Sequence, residues 1–264
     1  MAVKIDPMAI VDPKAEIEDG VEIGPYSVIE GGVYISSGTR VGPYVNIRRG
    51  TRIGKNCIIE AHCVIGASPQ HFAYKGEESF VEIGDNVVLR EYVTVHKATG
   101  LGEKTVIGDN CYIMVGCHVA HNCKIGVGVI MANLVGLAGY VQVGDGAVFG
   151  GMAGLHQFVR VGERAMIGGL SKVVKDVPPY LLVDGHPAKI RGLNVVGLKR
   201  AGFSAEEREE IKRIYKFIYF SDLSWKDTLE ALLEAFPNSK FAERIRDFMI
   251  SSERGVLRWK PWKE

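Results

Sequence analysis

The chain has 264 residues, 32 Lys and Arg against 31 Asp and Glu, a formal net charge of +1 and 47% hydrophobic residues. That composition supports one large domain, or a large and a small one, argues against a disordered chain, and gives no electrostatic reason to expect nucleic acid or an anionic membrane surface. No apolar run approaches the ~18 residues of a membrane span, and the stretch from Met1 to Ile10, interrupted by Asp6 and Pro7, lacks a signal peptide's apolar core, so stable membrane insertion is not expected.

Glycine stands out, with 32 residues against only 10 prolines. The excess follows a repeat. Every sixth residue from Ile5 to Ile65 is Ile or Val, the series breaks at His71 and Glu77, and it resumes from Ile83 through Leu89, Val95, Ile107, Val119 and Leu137 to Val173. An α-helix does not return to the same side after six residues. The position after the apolar residue is often Gly, as at Gly24, Gly54 and Gly126. The position two before it is small or β-branched, as at Val21, Ser27 and Thr39. This is the hexapeptide pattern of a parallel β-helix, with three hexads per triangular coil and roughly nine coils between Ile5 and Val173. Such coils resemble those of the hexapeptide acyltransferases. That resemblance implies a left-handed coil, against the usual right-handed crossover. The polar text near 68–79, and a looser stretch near 97–105 with Gly100 and Gly102, read as loops leaving the prism, where function tends to sit.

The beat ends at Pro178–Pro179, and helical periods follow Asn194. A capping box from Ser204 to Glu207 opens a helix to about Phe220. A second runs from Ser224 to Phe236, and a third from Ser239 to about Ser252. The expected architecture is an all-β parallel β-helix over 1–190, followed by a small α-helical domain over 191–264.

Five cysteines, Cys57, Cys63, Cys111, Cys117 and Cys123, all fall two residues before an inward apolar residue. They read as small buried thiols without disulfide or metal, which suits a cytoplasmic protein. Among the histidines, His96, His118, His121 and His156 are the interesting set. Residues 18 apart stack on one face, so His121, Gly139 and Gln157 form one column, one strand spacing per coil, with His156 beside it. An imidazole next to a glycine N–H offers a base for a hydroxyl and a donor for an oxyanion, which is what acyl transfer from a thioester requires. A zinc site built from His96, His118 and His121 is the competing reading, and paired surface histidines without a role are a third.

At these residues the chain resembles the UDP-N-acetylglucosamine O-acyltransferases of lipid A synthesis. The matching stretches are Pro69–Gln70 with Tyr74–Glu77, Val93–His96, His118–His121, Leu137–Gly139, Gly150–Met152 with His156–Phe158, Asp176–Tyr180, and Asn194 with Gly197–Arg200. The resemblance implies transfer of an R-3-hydroxyacyl chain from acyl carrier protein to the 3-hydroxyl of UDP-N-acetylglucosamine, in a cytoplasmic homotrimer without cofactor. It implies His121 as general base and Gly139 as oxyanion donor. Substrate contacts would come from Gln70, His71, His96, His118, His156, Gln157, Asn194 and Arg200, and Met166 with Gly169 would gauge acyl length.

The chain departs from that family at Ala73, where the loop often carries Lys, at Asn122, where an acid often follows the base, at Tyr140, where His is frequent, and at Val196, where Glu can occur. These leave open an acceptor with a 3-amino group. A hexapeptide acyltransferase using acyl coenzyme A, a zinc hydratase and a silent solenoid scaffold are the remaining alternatives.

Overall fold

A computed structural model describes residues 2–259. Residue 1 and residues 260–264, the extremities of the two expected domains, lie outside the described residues. The hexads fold as short strands separated by tight turns. Among the described residues they build three sheets of 11, 9 and 8 strands that form the walls of a left-handed parallel β-helix. Ile5 pairs with Ile23, Val11 with Ile29 and Ile17 with Ile35, so one coil takes 18 residues and returns each side chain above its counterpart. Ile59 pairs with Leu89, and Leu89 with Ile113. The two loops therefore lengthen their coils by multiples of six and preserve phase on both sides.

The apolar residue of each hexad points inward, and Ile29, Ile35, Ile47, Ile59, Ile65, Ile113 and Phe149 are almost fully buried. The five cysteines line the same interior as free, buried thiols. Burial pushes the Cys63 thiol up to about 12, so these groups stay protonated and pack as small hydrophobes. His62 occupies a turn with φ +63° and joins a stack of Tyr26, Tyr44 and Tyr92 along one edge of the prism.

Each corner poses the same backbone problem. Its second residue takes a left-handed conformation, as at Asn122 (φ +59°) and Tyr140 (φ +62°). The N–H of its first residue points out of the ladder. Carboxylates of neighbouring coils close several of these. Glu18 accepts from Ser37 N–H (2.8 Å), Asp85 from Lys55 N–H (2.7 Å) and Asp145 from Val127 N–H (2.8 Å). Pro25 and Pro43 remove the donor at other corners.

The β-region does not stop where the hexads do. Pro178–Pro179 breaks the phase, yet Leu181–Asp184 adds one more parallel strand on Met166–Ile167, and Lys189–Leu193 returns antiparallel to it. That hairpin covers the open end of the sheet. Four helices follow: α1 (Val195–Arg200), α2 (Ala205–Phe220), α3 (Trp225–Ala235) and α4 (Lys240–Ile250). The last three match the expected helices, with Ser204, Ser224 and Ser239 as N-caps and a complete capping box at Ser204 and Glu207. The short α1 has no apolar period to announce it. Ile211, Ile214, Leu229, Leu232 and Ile245 form the helical core. Buried Tyr215 donates to Pro179 O (2.6 Å), which docks α2 on the end of the prism.

The ladder makes inward and outward positions of one sheet unequal. Ile113→Ala, at a fully buried position, should cost about 3 kcal/mol, whereas Ile130→Ala, on the strand hydrogen-bonded to it but facing out, should change stability by less than about 0.5 kcal/mol. Urea titration of the two variants checks the contrast.

Candidate active site

The two loops converge on one corner of the prism. His121 and Asn122 form that corner, one coil before Gly139 and Tyr140 and two before Gln157 and Phe158. The backbone registers the column directly: Tyr140 N–H donates to His121 O (3.0 Å) and Phe158 N–H to Gly139 O (3.0 Å). A cavity of about 850 Å³ runs along this column and the adjoining sheet face, lined by Gln70, His71, His118, His121, Gly139, His156 and Gln157, among others. Leu137, Met152, Leu155 and Leu170 are among its apolar lining residues.

His121 is only 6% exposed, contrary to the expectation of a surface column. The 68–79 loop accounts for part of this: the His71 ring stands edge-on to His121 with centroids 4.9 Å apart. Tyr140 meets it edge-on from the other side at 5.2 Å and stacks on Phe158 at 4.7 Å. Gly139 lies directly beneath. A Cβ at that position would collide with the Cε1 and Nε2 atoms of His121, so only glycine lets the imidazole lie over the corner. Among the described residues no acceptor closes the Gly139 N–H, unlike the corners served by Glu18, Asp85 and Asp145.

Asn122 fixes the proton on His121. Its Nδ2 donates to Thr99 O (3.0 Å), and its Oδ1 accepts from Thr99 N–H (2.9 Å). Those two backbone groups leave one orientation for the amide. The Oδ1 therefore also faces His121 Nδ1 (2.9 Å), which must carry a proton, so in the neutral ring the lone pair is on Nε2, over Gly139. Thr99 is held in turn by Glu77, whose Oε1 accepts from Thr99 Oγ1–H (3.1 Å) and Gly100 N–H (2.8 Å), and whose Oε2 accepts from Lys75 N–H (2.8 Å). These backbone donors hold the Glu77 carboxyl down at about 2, so it stays ionised and ties the two loops together.

His96 and His118 form a second imidazole pair, with ring centroids 4.8 Å apart. His118 Nδ1 bonds Thr94 Oγ1 (2.7 Å). His96 Nδ1 is buried and finds no partner among the described residues. Burial, then the neighbouring His118 and His121, push His96 down to about 4, and burial lowers His118 as well. Among the described residues no group of three or more His, Cys, Asp or Glu side chains is arranged to hold a metal ion.

The remaining candidates sit elsewhere. His96 lies behind the cavity wall, and Met166 and Gly169 are absent from the lining, although Leu170, next to Gly169, is part of it. Asn194 is the N-cap of α1, accepting from Gly197 N–H (3.0 Å) and donating to Arg164 O (2.8 Å), so its amide is engaged in the fold. Arg200 is exposed at the end of that helix, away from the cavity. Sequence reading missed Thr94, Thr99 and Glu77 as supports and saw Asn122 only as a departure. Asn suits a left-handed corner for backbone reasons, as at Asn56, Asn86 and Asn110, which hides any further role.

Neutral His96 makes the fold sensitive to acid. Its folded pKa is depressed, so its contribution is complete above the unfolded value near 6.5 and is lost as pH falls toward 4. Wild-type protein should lose on the order of 3 kcal/mol over that window beyond what a His96→Gln variant loses. Melting temperatures of the two proteins between pH 7 and pH 4 give the comparison.

Among known proteins, a family model described as UDP N-acetylglucosamine O-acyltransferase, domain 2, matches residues 176–257, and a bacterial transferase hexapeptide model matches residues 32–67. The acyl-[acyl-carrier-protein]–UDP-N-acetylglucosamine O-acyltransferase of Thermodesulfovibrio yellowstonii is 46% identical over 256 residues, covering 97% of this chain and 99% of the relative. The enzyme of the same description from Halorhodospira halophila is also 46% identical, with the same coverage. The crystal structure of a UDP-N-acetylglucosamine acyltransferase from Bacteroides fragilis superposes with a TM-score of 0.93 at 40% identity, covering 96% of this chain and 99% of the other. Identity of this order over nearly the whole chain, on a prism whose His121, Gly139 and loops occupy one corner, establishes that the chain is an acyltransferase and belongs to the UDP-N-acetylglucosamine O-acyltransferase family.

Proposed function

We propose that the protein transfers an R-3-hydroxyacyl chain from acyl carrier protein to the 3-hydroxyl of UDP-N-acetylglucosamine, the first step of lipid A synthesis. The observation that carries this reading is His121 Nε2 lying over Gly139, with Nδ1 committed to Asn122 and the Gly139 N–H without an acceptor among the described residues. In this mechanism Nε2 removes the proton of the sugar hydroxyl as its oxygen attacks the thioester carbonyl. The Gly139 N–H stabilises the oxyanion of the tetrahedral intermediate. Collapse breaks the carbon–sulfur bond, and the imidazolium returns the proton to the departing carrier thiolate. No covalent enzyme intermediate is needed.

The cavity supports a division of substrate. Leu137, Met152, Leu155 and Leu170 suit an acyl chain, whose length Gly169, next to Leu170 in the chain but outside the lining, would gauge. Gln70, His71, His118, His156 and Gln157 offer donors to the sugar and phosphates, with His96 behind them. Asn194 and Arg200 do not reach this cavity within one chain. A homotrimer with sites between neighbouring copies would let α1 of one copy serve the site of the next. A cytoplasmic setting fits the five unpaired thiols.

The test is mass-spectrometric product detection with UDP-N-acetylglucosamine, its 3-amino analogue and 3-hydroxyacyl carrier proteins of several lengths. O-acylated product is expected, and Gly169→Met should shift preference to shorter chains. Product from the 3-amino sugar alone would overturn the hydroxyl acceptor. His121→Ala should keep its fold and lose at least about 100-fold in kcat; retention of more than a tenth of the rate would remove it as base. Gly139→Ala should likewise fold normally, because its backbone is not left-handed, yet lose activity as the imidazole is displaced. A kcat within about threefold of wild type would contradict the packing of His121 over that corner.

A further inference from the structure

The helical domain returns a strap to the prism beside the cavity. After α4, residues 251–257 run along the last coil, where Asp176 N–H donates to Gly255 O (3.0 Å) and Leu257 N–H to Asp176 O (2.9 Å). The fully buried Asp176 carboxylate accepts from Arg160 N–H (2.8 Å) and from Ser252 Oγ–H (2.7 Å). Arg160 reaches across to Ser251 O (2.9 Å), with its guanidinium over the Phe248 ring. Val256 and Leu257 are buried in the same seam. The strap is thus fastened by backbone pairing, a buried carboxylate and apolar contact.

What it delivers is Arg254. Its Nε donates to Val174 O (2.9 Å), which fixes the guanidinium plane, and its Nη2 lies 2.8 Å from His156 Nδ1. A guanidinium has donors and no acceptor. His156 Nδ1 also lies 3.3 Å from Gln157 O, a contact that would require it to donate. The guanidinium contact is the shorter and the charged one, so Nδ1 accepts from Arg254, which leaves the imidazole neutral with its proton on Nε2. His156 lines the cavity one coil beyond Ala138, in the column beside Gly139 and Gln157.

The geometry points to Arg254 as a positioning residue that sets the tautomer of His156, so that the helical domain determines what the prism offers to substrate. With Nδ1 engaged, His156 presents Nε2–H, a fixed donor matched to an oxygen acceptor such as a phosphate or carbonyl oxygen. It cannot act as a second base there. This division leaves His121 with its Nε2 lone pair and His156 with an Nε2 proton, two imidazoles of opposite hydrogen-bonding sense at one cavity. The substrate part of this inference rests on the proposed function above; the tautomer does not.

Long-range proton–nitrogen correlation spectra of the full-length, isotope-labelled protein read the tautomer directly, with His156→Gln assigning the signal. Wild type should show His156 with Nε2 protonated and Nδ1 bare. Arg254→Met should lose that single signature and raise KM for the nucleotide sugar about fivefold, with kcat within about twofold, as expected for one hydrogen bond made equally to ground and transition states. Arg254→Lys keeps the charge without the two-point hold. It should fall between the two, and it serves if the Met variant does not fold. A wild-type His156 protonated on Nδ1, or a folded Arg254→Met protein with unchanged spectrum and KM, would overturn the assignment. An intact tautomer in a protein that forms no acylated sugar would instead count against the proposed function alone.

Discussion

One constraint governs this molecule: each coil must hydrogen-bond to the next in register, at 18 residues per turn. Parallel pairing leaves no freedom to slip, because a one-residue shift would carry every inward side chain to the outside. Ile59 over Leu89 and Leu89 over Ile113 show how strictly it holds, since even coils that carry loops rejoin in phase. Rigid stacking also turns sequence distance into spatial position. His121, Gly139 and Gln157 face one another because the ladder puts them there.

The same ladder leaves an outward N–H at its corners, and the protein treats these differently according to place. Glu18, Asp85 and Asp145 close them along the shaft, and prolines delete others. At Gly139, as at corners such as Asn133, Gly151 and Gln157, no acceptor among the described residues closes the donor; what sets Gly139 apart is the imidazole beside it, which fits only because glycine has no Cβ. The loops then supply what a bare prism lacks. Glu77 pins Thr99, Thr99 orients Asn122, and Asn122 leaves the His121 Nδ1 protonated. A neutral amide does this without placing a carboxylate beside the imidazole. The ring's orientation is secured, and the charge that would stabilise an imidazolium is left out.

Much of the architecture was legible before any coordinates. The six-residue beat announced the β-helix, because an inward position must be apolar in every hexad. Ser204 and Glu207 announced α2 through a local capping box that needs no tertiary help. The breaks at His71 and Glu77 marked the loop that bears on the base. Other features were hidden for identifiable reasons. The strand at Leu181–Asp184 follows two prolines and has lost the hexad phase. The helix at Val195–Arg200 is too short to show a period, and nothing local marks Asn194 as its cap. His121 was expected at the surface because a corner residue of a bare prism is exposed, and only the folded loop and Tyr140 bury it.

The repeat, the inward and outward faces and the column of His121, Gly139 and Gln157 can be read along the chain, because each follows from a fixed period. Tertiary structure alone decided the proton positions. Asn122 is bonded to a residue 23 positions before it, and Arg254 lies 98 positions from the His156 it contacts. Neither partnership has a period or a local motif. Both exist because loops and a strap outside the ladder were free to fold back on it, and hydrogen-bond direction at two imidazoles depends on where those segments come to rest.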